Sequence, residues 1–354
     1  MRGGPGLIHS REQAVQPARY TGPMSRPLAT VTQLRQWAAM GAAGFSPFDP
    51  DRVLIWQAES SPRGMQDEGL VSQWLRALPC PVIAIASAQQ EGAWTRASDV
   101  VLEEAAQAAP LLKNIEHSPI AATVLVQLLR ATEASSIADA LTAESLAYST
   151  LQAGPEFRRW LDTSNRVATQ SAPDGPAVLL DREGASLSMR LNRPSRRNAM
   201  SVEMRDALIE ALRLVIADDE IRHVRLSGQG PCFISGGDLA EFGTAPDPAS
   251  AHILRSLCLP GALLARCAER VTAHVHGACI GSGIEFPAFA HRIVAAPDAE
   301  FQLPELRYGL IPGAGGCVSL PRRIGRQRTA RLALSGERIT ARTALQWGLV
   351  NQIS

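Results

Sequence analysis

Three short segments in the second half of the chain place chemistry-bearing groups beside glycines. The first, Cys232-Phe233-Ile234-Ser235-Gly236-Gly237-Asp238-Leu239, runs from an apolar strand through two glycines to a helix start near Asp238. Paired glycines let a backbone turn sharply and expose N–H groups, which can face an anion or a developing oxyanion. Alone, such a pair is most often only a turn. The second, Gly277-Ala278-Cys279-Ile280-Gly281-Ser282-Gly283-Ile284-Glu285, repeats the design. The first amides of a helix are unpaired and partially positive, so the Ser282 N–H is placed to be a second oxyanion donor. Glu285 falls in the first turn, either facing a site or merely stabilising the helix end. The third, Phe301-Gln302-Leu303-Pro304-Glu305, opens a helix with a glutamate 20 residues after Glu285 and leads into the glycine-rich run Gly309 to Gly316. Two carboxylates from separate helix starts can converge on one water or one carbon acid. A cap or a surface charge is the plainer role for Glu305 alone.

Competing chemistries lack their residues. The glycine-rich run has no Gly-Lys-Ser/Thr to make a phosphate loop. There is no His-Glu-x-x-His and no Gly-x-Ser-x-Gly. His274 and His276 share one strand face, where packing is a plainer role than metal ligation. The six cysteines are scattered without a Cys-x-x-Cys pair, which is neither zinc spacing nor a disulfide framework. None of these patterns favours a metal site. Lys+Arg 35 against Asp+Glu 34 leaves a net charge of +1, so no basic field attracts nucleic acid. With 45% hydrophobic and 19% charged residues the chain is not of the disordered class. No apolar run approaches the ~20 residues of a membrane helix, and the first residues lack the apolar core of a secretory leader. A cytoplasmic protein without membrane partners is the expectation.

The 354 residues allow two domains, or one large domain with an appendage. Residues 1 to 28, broken by Gly3, Gly4, Pro5, Pro17, Gly22, Pro23 and Pro27, read as a flexible tail. Strands at 53–56, 82–86 and 100–102, with a helix over 69–78, suggest a parallel βαβ unit. Residues 103–161 read as helical throughout. Ser118-Pro119 opens one helix, Ser135 or Ser136 caps the next with Ile137, Leu141 and Leu146 buried, and Gly154-Pro155 opens a third. The polar, Pro/Gly-bearing stretch 165–176 is the expected boundary. Beyond it come strands at 178–180 and 185–191, a helix capped by Ser201, a strand at 223–227, a helix over 253–267, and strands at 271–275 and 292–295. The order strand, helix, strand, strand thus occurs twice, a weak internal duplication. Any two βαβ units would share it.

Residues 177 to 353 resemble the crotonase superfamily, the enoyl-CoA hydratase/isomerase family. The matching residues are Asn192-Arg193-Pro194, Asn198-Ala199-Met200, Phe233 to Leu239, His276 to Glu285, Leu303-Pro304-Glu305, Gly309 to Gly316 and Ala341 to Val350, in that order. The resemblance implies an α/β fold, a spiral of ββα units that binds an acyl-CoA thioester, here with an added helical segment. It implies an oxyanion hole from the backbone N–H groups of Gly237 and Ser282, with Ser282 standing where Gly is frequent. It implies Glu285 and Glu305 as an acid/base pair. It places Ser235, Asp238 and Leu239 along the CoA, and Arg193, Arg196 and Arg197 near its phosphates, Arg197 being the side chain assigned to them. CoA comes with the substrate, so no separate cofactor is needed. The same resemblance implies fatty acid metabolism and a homo-oligomer, a trimer or dimer of trimers. Segment 244–264 would set the acyl pocket.

Hydration of a trans-2-enoyl-CoA is the leading expectation. Isomerisation, decarboxylation or thioester hydrolysis would use the same site, and a catalytically inactive scaffold would keep only the fold. Two departures shape the domain expectation. The family's three C-terminal helices do not follow Val350, yet Leu111 to Leu161 resembles them. Residues 29–171 are accordingly expected to be a degenerate crotonase-like βαβ unit plus a helical cap over about 104–164, closing a core at 172–354 that holds the active site. The first copy lacks paired glycines at 59–67 and has Ser87-Ala88-Gln89-Gln90 in place of the second glycine run. One active site per chain is therefore expected.

Overall fold

The structure is a computed structural model that describes residues 28–41, 44–48, 52–58, 67–165 and 175–354. The expected tail over 1–28 falls almost wholly outside the described residues, as do most of segment 59–67 and most of the boundary at 165–176.

The N-terminal half contains α1 (Val31–Ala39), β1 (Leu54–Gln57), α2 (Glu68–Ala77), β2 (Val82–Ile85), α3 (Ala93–Ala97) and β3 (Val100–Leu102). The three strands form one parallel sheet in the order β1-β2-β3. Alternation along β2 divides its side chains between two cores. Ile83 and Ile85 join the main core, whereas Val82 and Ala84 pack with Trp56, Val71 and Leu75 in a smaller one. Then come α4 (Ala109–His117), α5 (Pro119–Ala131), α6 (Ile137–Gln152) and α7 (Pro155–Thr163). Pro119 and Pro155 stand at first helical positions, where a missing N–H removes no bond. The Ser136 hydroxyl caps α6 by accepting from the Asp139 N–H at 3.1 Å. Leu141 is buried as expected, but Ile137 and Leu146 are 37% and 52% exposed. The face of α6 that packs inward instead carries Ala140, Glu144, Ser145 and Ser149.

The C-terminal half opens with the hairpin β4 (Val178–Glu183) and β5 (Ser186–Leu191), then α8 (Val202–Ala217), β6 (His223–Gly228), α9 (Pro248–Leu257), α10 (Pro260–Arg266) and β7 (Val271–Val275). The Ser201 cap and the buried stripe Met204, Leu208, Ala211, Leu212, Val215 are as the spacing predicts. The single helix expected over 253–267 is two helices. Pro260 has no N–H to donate and holds Leu259 extended (φ −107°, ψ 109°), so the first helix stops there. β8 (Ala278–Ile280), α11 (Ser282–Glu285), β9 (Arg292–Ala295), β10 (Glu300–Gln302), α12 (Gly316–Ser335), β11 (Ile339–Thr340), α13 (Ala341–Trp347) and β12 (Gln352–Ile353) complete the described chain. The main sheet has the order β12-β9-β7-β6-β5-β4, and a small one the order β11-β10-β8. The helix starts expected at Asp238 and Glu305 are single 3-10 turns, Leu239–Glu241 and Glu305–Tyr308.

The two halves share one core. Leu111, Ile115, Leu125 and Leu129 of α4 and α5 are buried in the same cluster as Leu320, Ala330 and Leu334 of α12. Polar bonds pin the joint. The Ser118 hydroxyl donates to the Leu306 carbonyl at 2.7 Å, and the Asn114 amide to the carbonyls of Leu334 and Ser335 at 3.0 and 2.6 Å. Asp99, after α3, pairs with Arg130 of α5 and, at 3.0 Å, with Arg326 of α12, all three buried. Removing one member of such a buried cluster costs about 3–5 kcal/mol, because it strands the remaining charge.

Candidate active site

The glycine segments meet as the sequence suggests. Ile234 bridges to Cys279, and the Ile280 N–H donates to the Ile234 carbonyl at 3.0 Å. A Cβ on Gly283 would sit 2.4 Å from that same carbonyl oxygen, so only glycine permits this approach. The loop ending at Gly237 and the start of α11 therefore run side by side. Among the described residues neither the Gly237 N–H nor the Ser282 N–H is engaged in a hydrogen bond. The Ser282 hydroxyl is buried and also without a partner.

Both glutamates turn inward. Glu285 is 2% and Glu305 9% exposed. Their Oε1 atoms flank one point, at 3.7 and 2.6 Å from where a Cβ on Gly281 would lie. Their environments differ. Glu285 Oε2 accepts from the Ala314 and Gly316 N–H groups at 2.8 and 3.0 Å. Burial pushes its carboxyl up to about 7, and these amides hold it back from rising further. Glu305 has only its own backbone amide to hold it down, and its Oε2 is buried without a partner. Burial, then the Glu285 charge, drive it well above the ordinary carboxyl range. The two carboxyls thus differ in how readily they give up a proton, the difference that an acid/base couple needs.

The residues expected along the CoA follow one another on this loop. Ser235 is half-buried, Leu239 is exposed, and the Asp238 carboxylate caps the following turn by accepting from the Ala240 N–H at 3.0 Å. Arg197 is exposed, in left-handed conformation (φ 51°), with its carbonyl accepting from the Ser235 N–H at 3.1 Å. Arg193 is not available to phosphates. It is buried, its guanidinium paired with Glu203 and donating to the carbonyls of Gly175 and Pro176. Segment 244–264 forms α9 and the start of α10, and α9 lies on α6. Arg255 donates to the Ser145 and Ser149 hydroxyls and to Gln152, and stacks 4.6 Å over the Tyr148 ring.

Two residues at the site were not singled out for it from the sequence, and both come from α6. Glu144 is 1% exposed and accepts from the N–H groups of Gly315 and Cys317, each at 2.7 Å. The Tyr148 ring packs against Gly313, where a Cβ would come within 2.3 Å of it. The available signal was the four-residue spacing of Glu144 and Tyr148 beside small residues, Ala140 and Ser145, on one helix face. Trp160 of α7 adds an aromatic wall, with Tyr308 at 5.0 Å and Phe242 at 5.9 Å between ring centres.

The enoyl-CoA hydratase/isomerase family profile matches residues 181–354. The 2,3-dehydroadipyl-CoA hydratase of Escherichia coli is 32% identical over 176 residues, which are 50% of this chain and 68% of that protein. The chain belongs to the enoyl-CoA hydratase/isomerase family. The 1,2-epoxyphenylacetyl-CoA isomerase of the same organism is 34% identical over 180 residues, 50% of this chain and 69% of the other. Among solved structures, the enoyl-CoA hydratase of Mycobacterium smegmatis is 32% identical, with a TM-score of 0.48, over 51% of this chain and 70% of that one. This crotonase core is α/β, as the resemblance implied, and the family makes it a crotonase-type acyl-CoA enzyme. No helix among the described residues is long and apolar enough to cross a membrane.

Proposed function

We propose that the protein hydrates a trans-2-enoyl-CoA, with Glu285 as base and Glu305 as acid. The observation that carries this reading is the unequal pair of buried carboxyls facing one point beside Gly281. Glu285, held by two amides, is the group able to be an anion near neutral pH. It takes a proton from water as the water oxygen bonds to C3 of the substrate. The C2=C3 electrons move toward the thioester carbonyl, whose oxygen takes up negative charge. The open N–H groups of Gly237 and Ser282 receive that oxygen, and one such donor is typically worth about 3 kcal/mol. Glu305, the better proton holder, protonates C2. The product is a 3-hydroxyacyl-CoA, and no metal or redox cofactor takes part. Ser235, Asp238, Leu239 and the exposed Arg197 would line the CoA, which arrives with the substrate.

The test is loss of conjugated enoyl absorbance on incubation with trans-but-2-enoyl-CoA. The expected result is turnover that falls at least about 10²-fold in Glu285→Gln and in Glu305→Gln. The rate should rise as pH passes about 7, where Glu285 ionises, and fall again when Glu305 loses its proton. Migration of the double bond without water uptake would instead support isomerisation, the reaction in the name of the 34% identical relative. CoA binding with no turnover would make the chain a scaffold and sink the enzyme reading.

A further inference from the structure

The N-terminus of α12 is held by two carboxylates at once. Consecutive N–H groups alternate between them: Ala314 and Gly316 donate to Glu285 Oε2, while Gly315 and Cys317 donate to the two oxygens of Glu144. Glu144 belongs to the N-terminal half, more than 130 residues before Glu285. Its neighbours on α6 seat the same turn, Tyr148 against Gly313 and Leu141 3.6 Å from where a Gly315 Cβ would lie. These side chains are three and four residues apart, so one helix face does all of this.

We propose that Glu144 is a positioning residue for the active site: its carboxylate fixes the 313–317 turn so that the Ala314 and Gly316 amides aim at Glu285. This rests on the reading of Glu285 as the base. A helix cap alone needs one neutral acceptor, which Ser, Thr or Asn supplies without a buried charge. Here a carboxylate stands near two others. The ionisable groups facing it are Glu285 and Glu305 of the core, Cys317 of α12, Tyr148 of its own helix and Arg255 of α9. Burial, then the Glu285 charge, push the Glu144 carboxyl itself well above its ordinary range, while the Gly315 and Cys317 amides pull it back. When it is ionised, its charge adds to those that keep Glu305 protonated. Glu144 thus acts on both members of the couple, on one through the backbone and on the other through its field.

The experiment uses the full chain and the variants Glu144→Gln and Glu144→Asp. Gln turns an NH2 toward one of the two amides and removes the charge. Asp keeps the charge but draws it back by one methylene. With trans-but-2-enoyl-CoA, Glu144→Gln should lose about 10²-fold in kcat, the scale of an ångström's misplacement, with KM changed less than about threefold. The high-pH limb of its profile should move down, because Glu305 ionises more easily without a neighbouring anion. Glu144→Asp should lose kcat but keep that limb. Carbon-13 carboxyl titration of glutamate-labelled protein, assigned with Glu285→Gln and Glu305→Gln, reads the same Glu305 shift without turnover. Wild-type kcat, limb and titration in Glu144→Gln would overturn the proposal. So would a Glu144→Gln that unfolds while Glu144→Asp retains wild-type kcat, which would leave only a structural role. If Glu285→Gln keeps full turnover, the hydration reading fails, and the carboxyl titration still decides the influence of Glu144 on Glu305.

Discussion

Two parallel three-strand units stand in this molecule, β1-β2-β3 and β6-β7-β9, with the same strand order and direction. They differ in the turns at the ends of the strands. Past β2 the chain makes a closed 3-10 turn. The Ser87 N–H donates to Gln90 Oε1 at 2.8 Å, and the Gln90 amide donates to the Ala58 carbonyl at 2.7 Å. Past β7 and β8 the chain turns through Gly281, and the Ser282 N–H stays open beside that of Gly237. The lesson is that a site is made by donors left unengaged in a buried place, not by the strand pattern. In one unit the Ser87 amide is bonded within its own turn, and in the other the Gly237 and Ser282 amides are left open. We propose that the first unit, with α4–α7, is a degenerate copy whose helices close the second, leaving one active site per chain.

The largest test of that comparison removes the first unit. A fragment of residues 172–354 would expose the α12 face that packs on α4 and α5, and would leave the Gly315 and Cys317 amides without Glu144. The expected outcome is a fragment with no cooperative thermal unfolding and no CoA binding by calorimetry. A stable, active fragment would sink the idea that the first unit completes the fold.

Next in size is a change that makes the open turn more like the closed one. Gly281 has φ +51° and ψ −118°, a conformation side chains rarely adopt, and a Cβ there would meet Glu305 Oε1 at 2.6 Å. In Gly281→Ala the carboxylate tip must move. The strain costs about 1–3 kcal/mol in stability. Turnover should fall about 10²-fold, since the acid is displaced by roughly an ångström. Steady-state kinetics beside a thermal melt separates the two effects.

An effect of similar size sharpens the electrostatic side. Glu285 has a folded pKa of about 7, raised from an ordinary value near 4.5 by burial. The folded state therefore binds more protons than the unfolded chain between those values. Stability is full below about pH 4.5 and is lost as pH rises through 7. Glu285→Gln, which cannot ionise, should gain on the order of 2–3 kcal/mol over wild type at pH 8, and little at pH 4.5. Denaturant titrations at the two pH values check it. Wild-type stability at both would mean that Glu285 is not held in a dry place.

Much of the site was legible because glycines and carboxylates at helix starts have local causes. Gly236-Gly237, Gly281-Ser282-Gly283, Glu285 and Glu305 each announce a turn or a charge beside an open amide. The contribution of α6 was not legible in that way. Glu144 caps a helix that begins more than 170 residues later, and the spacing around it marks an inward helix face without identifying so distant a partner. Pro260 carries a local signal that the wider pattern masks: the apolar spacing from Ile253 to Cys267 suggests one helix, but a missing N–H ends it. Arg193 shows the opposite error. The family resemblance places it near the phosphates of CoA, whereas burial beside Glu203 gives it a structural partner instead.

The smallest expected effect probes the closed turn itself. In Gln90→Ala the Ser87 N–H loses its acceptor, and the Ala58 carbonyl loses a donor. Ser87 is exposed, so water replaces the first bond. The net loss should be about 1 kcal/mol, the usual worth of such a bond, seen as a melting temperature lower by a few degrees. Turnover should not change, because among the described residues Ser87 and Gln90 bond only to each other and to Ala58, not to the residues of the proposed site. Acquisition of a second CoA site in Gln90→Ala, counted by calorimetry, would show instead that the two units differ by that one closed turn alone.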